Sequence, residues 1–250
     1  MGVSADKTFW EHLDDLRALL VRALMVVAVA TVACFCLKDE IFNFVMAPSR
    51  PDFVLYRLLS GLEPPDLGGG LINTRLSGQL MMHFKVALGA GLCLAAPIVA
   101  WMVARYLAPA LYPNERRAMG GAFVWGGVLF AVGAAMAYVL VFPLAFRFLA
   151  TYEVSPLVTN MITLDSYVDN LLLLCLLMGV LFELPVVARI LSNLGLVTAP
   201  LMRRYRRHAL LVIVTLTAII TPTTDALTLA LVSLPVWLLY EASVLVVKRG

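Results

Sequence analysis

The stretch GVLFELPVV, residues 179–187, places a carboxylate and a proline inside a run that is otherwise apolar over residues 171–188. A charged side chain at the centre of a bilayer costs about 2.5–3.5 kcal/mol on insertion scales. Pro185 also removes one backbone donor, which predicts a kink in any helix that passes through it. The stretch therefore predicts a membrane-spanning helix in which the kink and Glu183 face protein or water rather than lipid.

The composition of the whole chain agrees with a protein that is largely surrounded by lipid. Of its 250 residues, 62% are hydrophobic and only 14% are charged, whereas a soluble domain carries about 25% charged residues. One globular core could not bury so many apolar side chains. The same excess excludes an intrinsically disordered chain, which would be poor in hydrophobic residues.

Six apolar runs are candidates for membrane-spanning helices, given that about 20 residues cross the ~30 Å hydrocarbon layer. They cover residues 19–37, 80–103, 119–146, 167–188, 209–220 and 226–247. The third is long enough to tilt or to leave the membrane near Pro143. The fifth spans only about 18 Å at helical rise, so it either thins the bilayer or forms a re-entrant hairpin with the sixth. We expect one all-α membrane domain over residues 1–250, a concave bundle of six transmembrane helices with a short fifth and, in the hairpin alternative, a short sixth.

The distribution of basic residues predicts the orientation of these helices. Of the 19 lysines and arginines, 13 fall on one side, namely Lys7, Arg17, Arg22, Arg105, Arg116, Arg117, Arg189, Arg203, Arg204, Arg206, Arg207, Lys248 and Arg249. That side is expected to be cytoplasmic and to hold both termini. The cytoplasmic loops are then residues 104–118 and 189–208, and residues 38–79 form an external loop that includes the turn-rich EPPDLGGG.

Residues 8–18 predict an interfacial helix that runs into the first span. Thr8 and Glu11 fit a capping box, which indicates a helix start near Thr8. Asp15 lies on a face of this helix away from its apolar stripe. Two interpretations stay open: a solvated helix that lies on the lipid headgroups, or one half of an acidic patch.

The second half of such a patch would be Glu115, in the segment YLAPALYPNERRA between spans two and three. Pro113 suits the first turn of the following helix, and an anion at Glu115 would be stabilised there by the helix dipole. That explanation is sufficient by itself. The alternative is that Asp15 and Glu115 together form an acidic patch on an otherwise arginine-rich surface, which would suit a short cationic ligand.

Neither the cysteines nor the histidines predict a metal site. The four cysteines lie inside apolar runs without zinc or redox spacing, and the three histidines are scattered along the chain. We interpret the cysteines as packing residues and expect no cofactor.

Six short motifs in this order resemble the TatC family, the polytopic receptor subunit of the twin-arginine protein translocase. They are HLDDLR before span one, APS around Pro48, APALYPNERR, FPLAFRFL, FELPV and TPTTDALT before span six. The resemblance covers nearly the whole chain except residues 50–77. Two positions depart from the family pattern: Asp15 stands where glutamate is usual, and Tyr106 stands where phenylalanine is common.

The resemblance implies a function in protein export. Asp15 and Glu115 would contact the paired arginines of a signal peptide on the cytoplasmic side, with Arg17 holding the N-terminal motif and Tyr106 beside them. Pro48 and Asp225 belong to the family's pattern on the exported side, although a loop turn and a helix N-cap would explain them equally.

The resemblance also implies partners and a location. Relatives work with small single-span proteins, TatA and TatB, in the bacterial cytoplasmic membrane, assemble into higher-order oligomers, draw on the proton-motive force, carry folded substrates and perform no covalent chemistry. Nucleic acid is not expected as a partner. Glu183 is then a candidate for docking a polar residue of a single-span partner or the threaded signal peptide.

Two other classes of protein were weighed against this interpretation. A small secondary transporter or channel could use Glu183 as a proton or cation site. Such a path needs several intramembrane ionisable groups, and the sequence offers no second ionisable residue deep in a span. An intramembrane enzyme would need a nucleophile and a base within the spans, and Glu183 has no histidine or aspartate three or four residues away.

Overall fold

The structure is a computed structural model, and it describes the backbone of most of the chain. The described residues are 9–58, 70–107, 113–153, 155, 157, 160–193, 195–221 and 225–247. Within these ranges, the side chains of residues 9, 11, 12, 104, 107, 113–124 and 220 are outside the description. The capping residue Thr8 and residues 59–69, which hold most of EPPDLGGG, also lie outside the described residues.

The described residues are almost entirely helical, and their single β-bridge joins Ile72 to Thr163. The helices are α1 (Phe9–Cys36), α2 (Lys38–Met46), α3 (Val54–Leu58), α4 (Gly78–Leu107), α5 (Pro113–Met136), α6 (Phe142–Thr151), α7 (Leu164–Leu181), α8 (Leu184–Asn193), α9 (Ala199–Arg204), α10 (Arg206–Ile220) and α11 (Ala226–Val246). The all-α class predicted from the apolar runs is confirmed.

Five stretches of these helices are long and apolar enough to cross a membrane. They are Leu13–Cys36, Gly78–Val103, Trp125–Thr151, Leu164–Asn193 and Ala226–Val246. The remaining candidate, α10, has 15 residues and so reaches about 22 Å. The short fifth helix is therefore observed, three residues longer than expected because Arg206, Arg207 and His208 are helical. The prediction of a short sixth helix is wrong, since α11 has 21 residues.

Helices extend into the segments that were expected to be loops. The predicted interfacial helix and first span are one continuous helix, α1. The loops that were predicted to be cytoplasmic are shorter than expected, because α4 runs to Leu107, α5 already begins at Pro113, and α9 lies between α8 and α10. The segment 38–79, predicted to be external, contains α2 and α3. Apolar-run boundaries mark the hydrocarbon layer, whereas helices continue until a cap or a proline ends them.

The helical path of the third span does not end at Pro143. A π-helical turn, Ala137–Val141, joins α5 to α6, and the helical path continues to Thr151. Pro143 has no amide hydrogen and cannot continue the i to i−4 pattern. The wider turn before it, in which the Phe142 amide bonds to the Ala137 carbonyl, absorbs that break without ending the helix.

Helices α1 and α4 pack side by side in opposite directions. The Cα of Gly91 lies against the backbone of Thr31, which only a residue without Cβ allows. Towards the end of α1, the Phe35 ring stacks on the His83 ring with 4.0 Å between their centroids. The residue numbers of the contacting positions decrease along α4 as they increase along α1, so the two helices are antiparallel.

The main core lies around α7, which packs against α4, α5 and the π-helical turn. Tyr167, Val168 and Met178 are almost completely buried there, next to Val86 of α4 and Phe142 of α6. Helix α1 instead packs mainly on α4 and leaves most of its apolar side chains exposed, as expected for a helix that faces lipid.

Candidate functional site: the acidic end and the intramembrane carboxylate

The antiparallel packing of α1 on α4 places Asp15 and Tyr106 at the same end of the bundle. Asp15 precedes Thr31 by 16 residues, about 24 Å of helix. Tyr106 follows Gly91, the partner of Thr31, by 15 residues, about 22 Å. Asp15 is exposed and Tyr106 is half-buried. The two residues therefore lie at nearly the same height on neighbouring helices.

Helix α5 brings Glu115 to this same end. Gly127 of α5 lies against Pro97 of α4, since a Cβ at Gly127 would be 3.1 Å from the Pro97 side chain. Glu115 precedes Gly127 by about 18 Å of helix, and Tyr106 follows Pro97 by about 13 Å. Pro113 opens α5 as predicted, and Glu115 follows in the first turn. The Glu115 side chain is outside the described residues.

Basic and aromatic groups accompany the acids at this end, which we call the acidic end (Asp15, Arg17, Tyr106 and Glu115). Arg17 is exposed on α1, two residues after Asp15. The guanidinium of Arg105 lies over the Trp101 ring, 5.7 Å from its centroid, in the range of a cation–π contact. Both acids are predicted on one side of the membrane, and the helix register places them at the same end of α1 and α5, which both pack on α4.

Glu183 sits at a break between two helices, as Pro185 predicts. Helix α7 ends at Leu181 and α8 begins at Leu184. The amide of Glu183 donates to the Val180 carbonyl at 3.1 Å, and its own carbonyl accepts from the amides of Val186 and Val187 at 3.0 Å each. The backbone amide and carbonyl of Glu183 are thus satisfied locally, and the half-buried carboxylate is the polar group that the break presents.

Glycines of α5 allow this break to come close. A Cβ at Gly126 would lie 2.9 Å from Oε2 of Glu183, so the carboxylate rests where a side chain of α5 would otherwise be. Gly133 lies against the Met178 carbonyl oxygen in the same way. Gly126 and Gly133 were not predicted as functional positions. Their seven-residue spacing, which puts both glycines on one helix face, is the signal in the sequence.

An ion pair lies within the candidate spans at the end of α7 that is far from Glu183. Nζ of Lys85 in α4 lies 2.8 Å from Oδ1 and 2.9 Å from Oδ2 of Asp169. Both side chains are about half-exposed. Asp169 is 14 residues from Glu183, about 21 Å along the helix, and no acidic or basic residue lies between them in the sequence. The pair does not extend a proton path to Glu183.

The two residues on the predicted exported side have structural roles of the kind expected. Asp225 is the N-cap of α11, where its Oδ2 accepts a hydrogen bond from the Thr228 amide at 2.7 Å. Pro48 lies in a buried 3-10 turn, Ala47–Ser49, and its carbonyl accepts from the Tyr56 hydroxyl at 3.4 Å. Neither residue lies near the acidic end.

Within the part of the chain that is described, no group of three or more His, Cys, Asp or Glu residues could hold a metal ion. The four cysteines are all free thiols. Cys34 and Cys175 are buried in the apolar packing, while Cys36 is exposed on α1.

Comparison with known proteins agrees with this arrangement over nearly the whole chain. A family model described as Sec-independent protein translocase protein (TatC) matches residues 11–235. The TatC protein of Deinococcus radiodurans is 36% identical over 241 residues, which cover 96% of this chain and 85% of that protein. The TatC protein of Koribacter versatilis is 32% identical, covering 95% of this chain and 83% of its own.

Two solved structures have the same fold. A crystal structure of the twin-arginine translocase receptor TatC is similar with a TM-score of 0.74 and 28% identity, covering 94% of this chain and 97% of that chain. A second crystal structure of the receptor, in DDM, has a TM-score of 0.77 at 28% identity and covers 95% and 100%. The chain therefore belongs to the TatC family and is a membrane-embedded component of the twin-arginine protein translocase, not an enzyme.

Proposed function

We propose that this protein is the signal-peptide receptor of its translocase, and that the acidic end binds the paired arginines of the peptide. The observation that carries the proposal is the packing of α1 and α5 on α4, which supports Asp15 and Glu115 at one end of the bundle. A guanidinium binds a carboxylate through a rigid two-pronged fork, which the ammonium of lysine lacks. Two carboxylates at the same end of the bundle therefore favour two consecutive arginines over two lysines.

The test measures binding of labelled peptides to the purified protein in lipid nanodiscs. An Arg-Arg peptide should bind, and the matched Lys-Lys peptide should bind poorly. Charge-assisted hydrogen bonds contribute about 1.5–3 kcal/mol each, so Asp15→Asn or Glu115→Gln should weaken the Arg-Arg peptide roughly tenfold to a hundredfold. Asp15→Glu should be mild or improve binding, because it restores the residue usual in the family.

A matched control is available in the neighbouring exposed acid. Asp14→Asn removes the same charge one residue away, about 100° around the helix, and should leave binding nearly unchanged. Equal binding of the Arg-Arg and Lys-Lys peptides, or equal losses for Asp14→Asn and Asp15→Asn, would reject the proposed site. Photo-crosslinkers at positions 15 and 115 should both reach the Arg-Arg segment.

We further propose that Glu183 docks a polar group inside the membrane, either from a TatA- or TatB-type single-span helix or from the threaded peptide. The support is geometric: the break at Pro185 and the lack of a side chain at Gly126 leave room for a carboxylate within a candidate span. Polar groups inside membranes are rare and face protein or water. No described side chain donates a hydrogen bond to Glu183, so the carboxylate is available to an outside donor.

Three substitutions at this position separate docking from proton transfer. Intramembrane hydrogen bonds average only about 0.6 kcal/mol, so Glu183→Gln should keep most export activity and Glu183→Ala should reduce it without loss of peptide binding. Glu183→Lys should be the most damaging, since it reverses the charge and removes both acceptors. Export of a twin-arginine reporter, normalised to protein level, measures all three. Complete loss in the Gln variant would favour the alternative of a transporter-like proton site.

The setting proposed for this function is the bacterial cytoplasmic membrane, with both termini on the cytoplasmic side and several copies assembled with the single-span partners. The basic residues that cluster at the acidic end and near α9 support this orientation. Export of folded proteins would then draw on the proton-motive force.

A further inference from the structure

A groove between α8, α9 and α11 has no lining residue in the acidic end, and it borders the Glu183 break through Leu184 and Val187. It has a volume of about 300 Å³, and its walls are formed by Leu184, Val187, Ala188, Leu191, Val197, Leu201, Met202, Tyr205, Tyr240 and Ser243. Its two inner hydroxyl groups already have partners: Tyr240 donates to the Met202 carbonyl at 2.9 Å and Ser243 donates to the Leu239 carbonyl at 2.7 Å. These satisfied hydroxyls and the aliphatic walls favour an apolar occupant.

The groove continues into a second apolar cavity. That cavity has a volume of about 220 Å³ and shares Leu184 and Tyr240 with the groove. It runs beside α10, and the hydroxyl of Thr217 in its wall donates to the Ile213 carbonyl at 2.7 Å. Two adjoining apolar spaces that meet at one tyrosine offer places for the two chains of a diacyl lipid.

The rim of the groove is strongly basic. Residues 184–211, which form two of its walls, contain five arginines and no aspartate or glutamate. Arg206 is neutralised by an ion pair with Glu241, 2.6 Å from Nη2 to Oε2. Arg203, Arg204 and Arg207 are exposed, and none forms an ion pair within the described residues. The fifth, Arg189, donates to the Val246 carbonyl. Three exposed arginines thus remain beside the mouth of an apolar groove.

We infer that this groove binds an anionic phospholipid, with an acyl chain inside it and the phosphate held by Arg203, Arg204 and Arg207. Arginine matches phosphate oxygens in a two-pronged geometry, and basic pockets beside transmembrane helices bind anionic headgroups. Tyr205, which is 47% exposed at the groove mouth, sits as tyrosines do at the level of lipid headgroups. The surplus charge selects a lipid with net negative charge over a zwitterionic one of the same chain length.

The test is native mass spectrometry of the purified protein with equal amounts of phosphatidylglycerol and phosphatidylcholine that carry identical chains. The wild-type protein should retain phosphatidylglycerol preferentially. The triple variant Arg203→Gln, Arg204→Gln, Arg207→Gln should lose that preference, and the single variant Arg204→Gln should weaken it about fivefold, the change expected for about 1 kcal/mol per basic residue. The matched control Arg50→Gln, Arg57→Gln, Arg75→Gln removes three exposed arginines elsewhere and should retain it.

A second variant tests the groove itself. Val187→Trp fills the groove from a side chain that is 47% exposed, so it should fold normally, as a melting curve would verify, and should retain neither lipid. Equal retention of the two lipids by the wild type would overturn the inference. So would unchanged retention in Val187→Trp, which would mean that the arginines attract lipid without the groove. A dimer that these variants weaken would identify a second copy as the occupant and also overturn it.

Discussion

At the scale of single residues, the glycines of α5 determine how closely the Glu183 break can approach. A Cβ at Gly126 meets only the end of the flexible Glu183 side chain, whereas a Cβ at Gly133 would lie 2.5 Å from the Met178 carbonyl oxygen and 2.7 Å from the Phe182 ring. The first neighbour can move and the second is backbone. The two glycines therefore differ in what a methyl group would disturb.

We expect Gly126→Ala to affect mainly export and Gly133→Ala to affect mainly stability. Gly126→Ala should change the free energy of unfolding by less than about 1 kcal/mol, yet it should lower export as Glu183→Ala does, because it displaces the carboxylate. Gly133→Ala should cost about 1–3 kcal/mol through overpacking. Thermal unfolding in detergent and reporter export measure the two effects. Normal export in Gly126→Ala would mean that the resting position of Glu183 is not required.

At the scale of secondary-structure elements, hydroxyl groups from three other positions hold the end of α2. The last carbonyls of a helix have no partner within it. Here the Phe44 carbonyl accepts from Tyr138 at 2.6 Å, the Val45 carbonyl from Tyr167 at 3.0 Å and the Met46 carbonyl from Ser49 at 2.8 Å. Because the two tyrosines belong to the π-helical turn and to α7, these bonds attach α2 to the core.

Tyr167→Phe should destabilise the protein more than Tyr138→Phe. The bond from Tyr167 to the Val45 carbonyl is buried, so its loss leaves a buried acceptor unsatisfied at a cost of about 1–3 kcal/mol. The Phe44 carbonyl keeps the Ala47 amide as a second donor, so Tyr138→Phe should cost about 1 kcal/mol or less. Unfolding of both variants under identical detergent conditions gives the comparison. Equal losses would show that the tyrosine hydroxyls do not act as caps.

At the scale of the whole molecule, the arrangement of the helices in the membrane is a prediction from the basic residues. We expect both ends to be cytoplasmic. In a variant in which the four native cysteines are replaced, a membrane-impermeant maleimide should reach single cysteines inserted after Asp52 and after Thr159 from outside intact cells. A cysteine at Asn114 should react only after the cells are opened. Labelling of position 114 from outside would contradict this orientation.

Helix α10 has 15 residues, which reach about 22 Å. Both a thinned bilayer and a re-entrant path keep the two chain ends on the same side. The length of α11 rules out a pair of equally short helices. The described part of the chain therefore combines five helical stretches long enough to cross a membrane with one short helix between α9 and α11.

The sequence by itself determined that lipid surrounds much of this protein, that its fold is all-α and that it resembles the TatC family. An apolar run records the thickness of the hydrocarbon layer, because this effect acts through the local chain. Pro185 coincides with the break between α7 and α8, but Pro97 and Pro235 lie inside α4 and α11, so a proline in a span does not by itself fix a break. Motifs such as HLDDLR and FELPV carried the resemblance to TatC, and Pro113 and Asp225 marked helix starts correctly, because capping also depends on adjacent residues.

Only the tertiary structure decided which of these residues meet. The register of α1 against α4 depends on the contact of Thr31 with Gly91, two positions 60 residues apart, and it is this register that puts Asp15 level with Tyr106. The close approach of Gly126 to Glu183 and the apolar groove beside Tyr240 also depend on contacts between distant segments. Contacts between distant segments depend on packing of whole helix faces, which local sequence patterns do not specify.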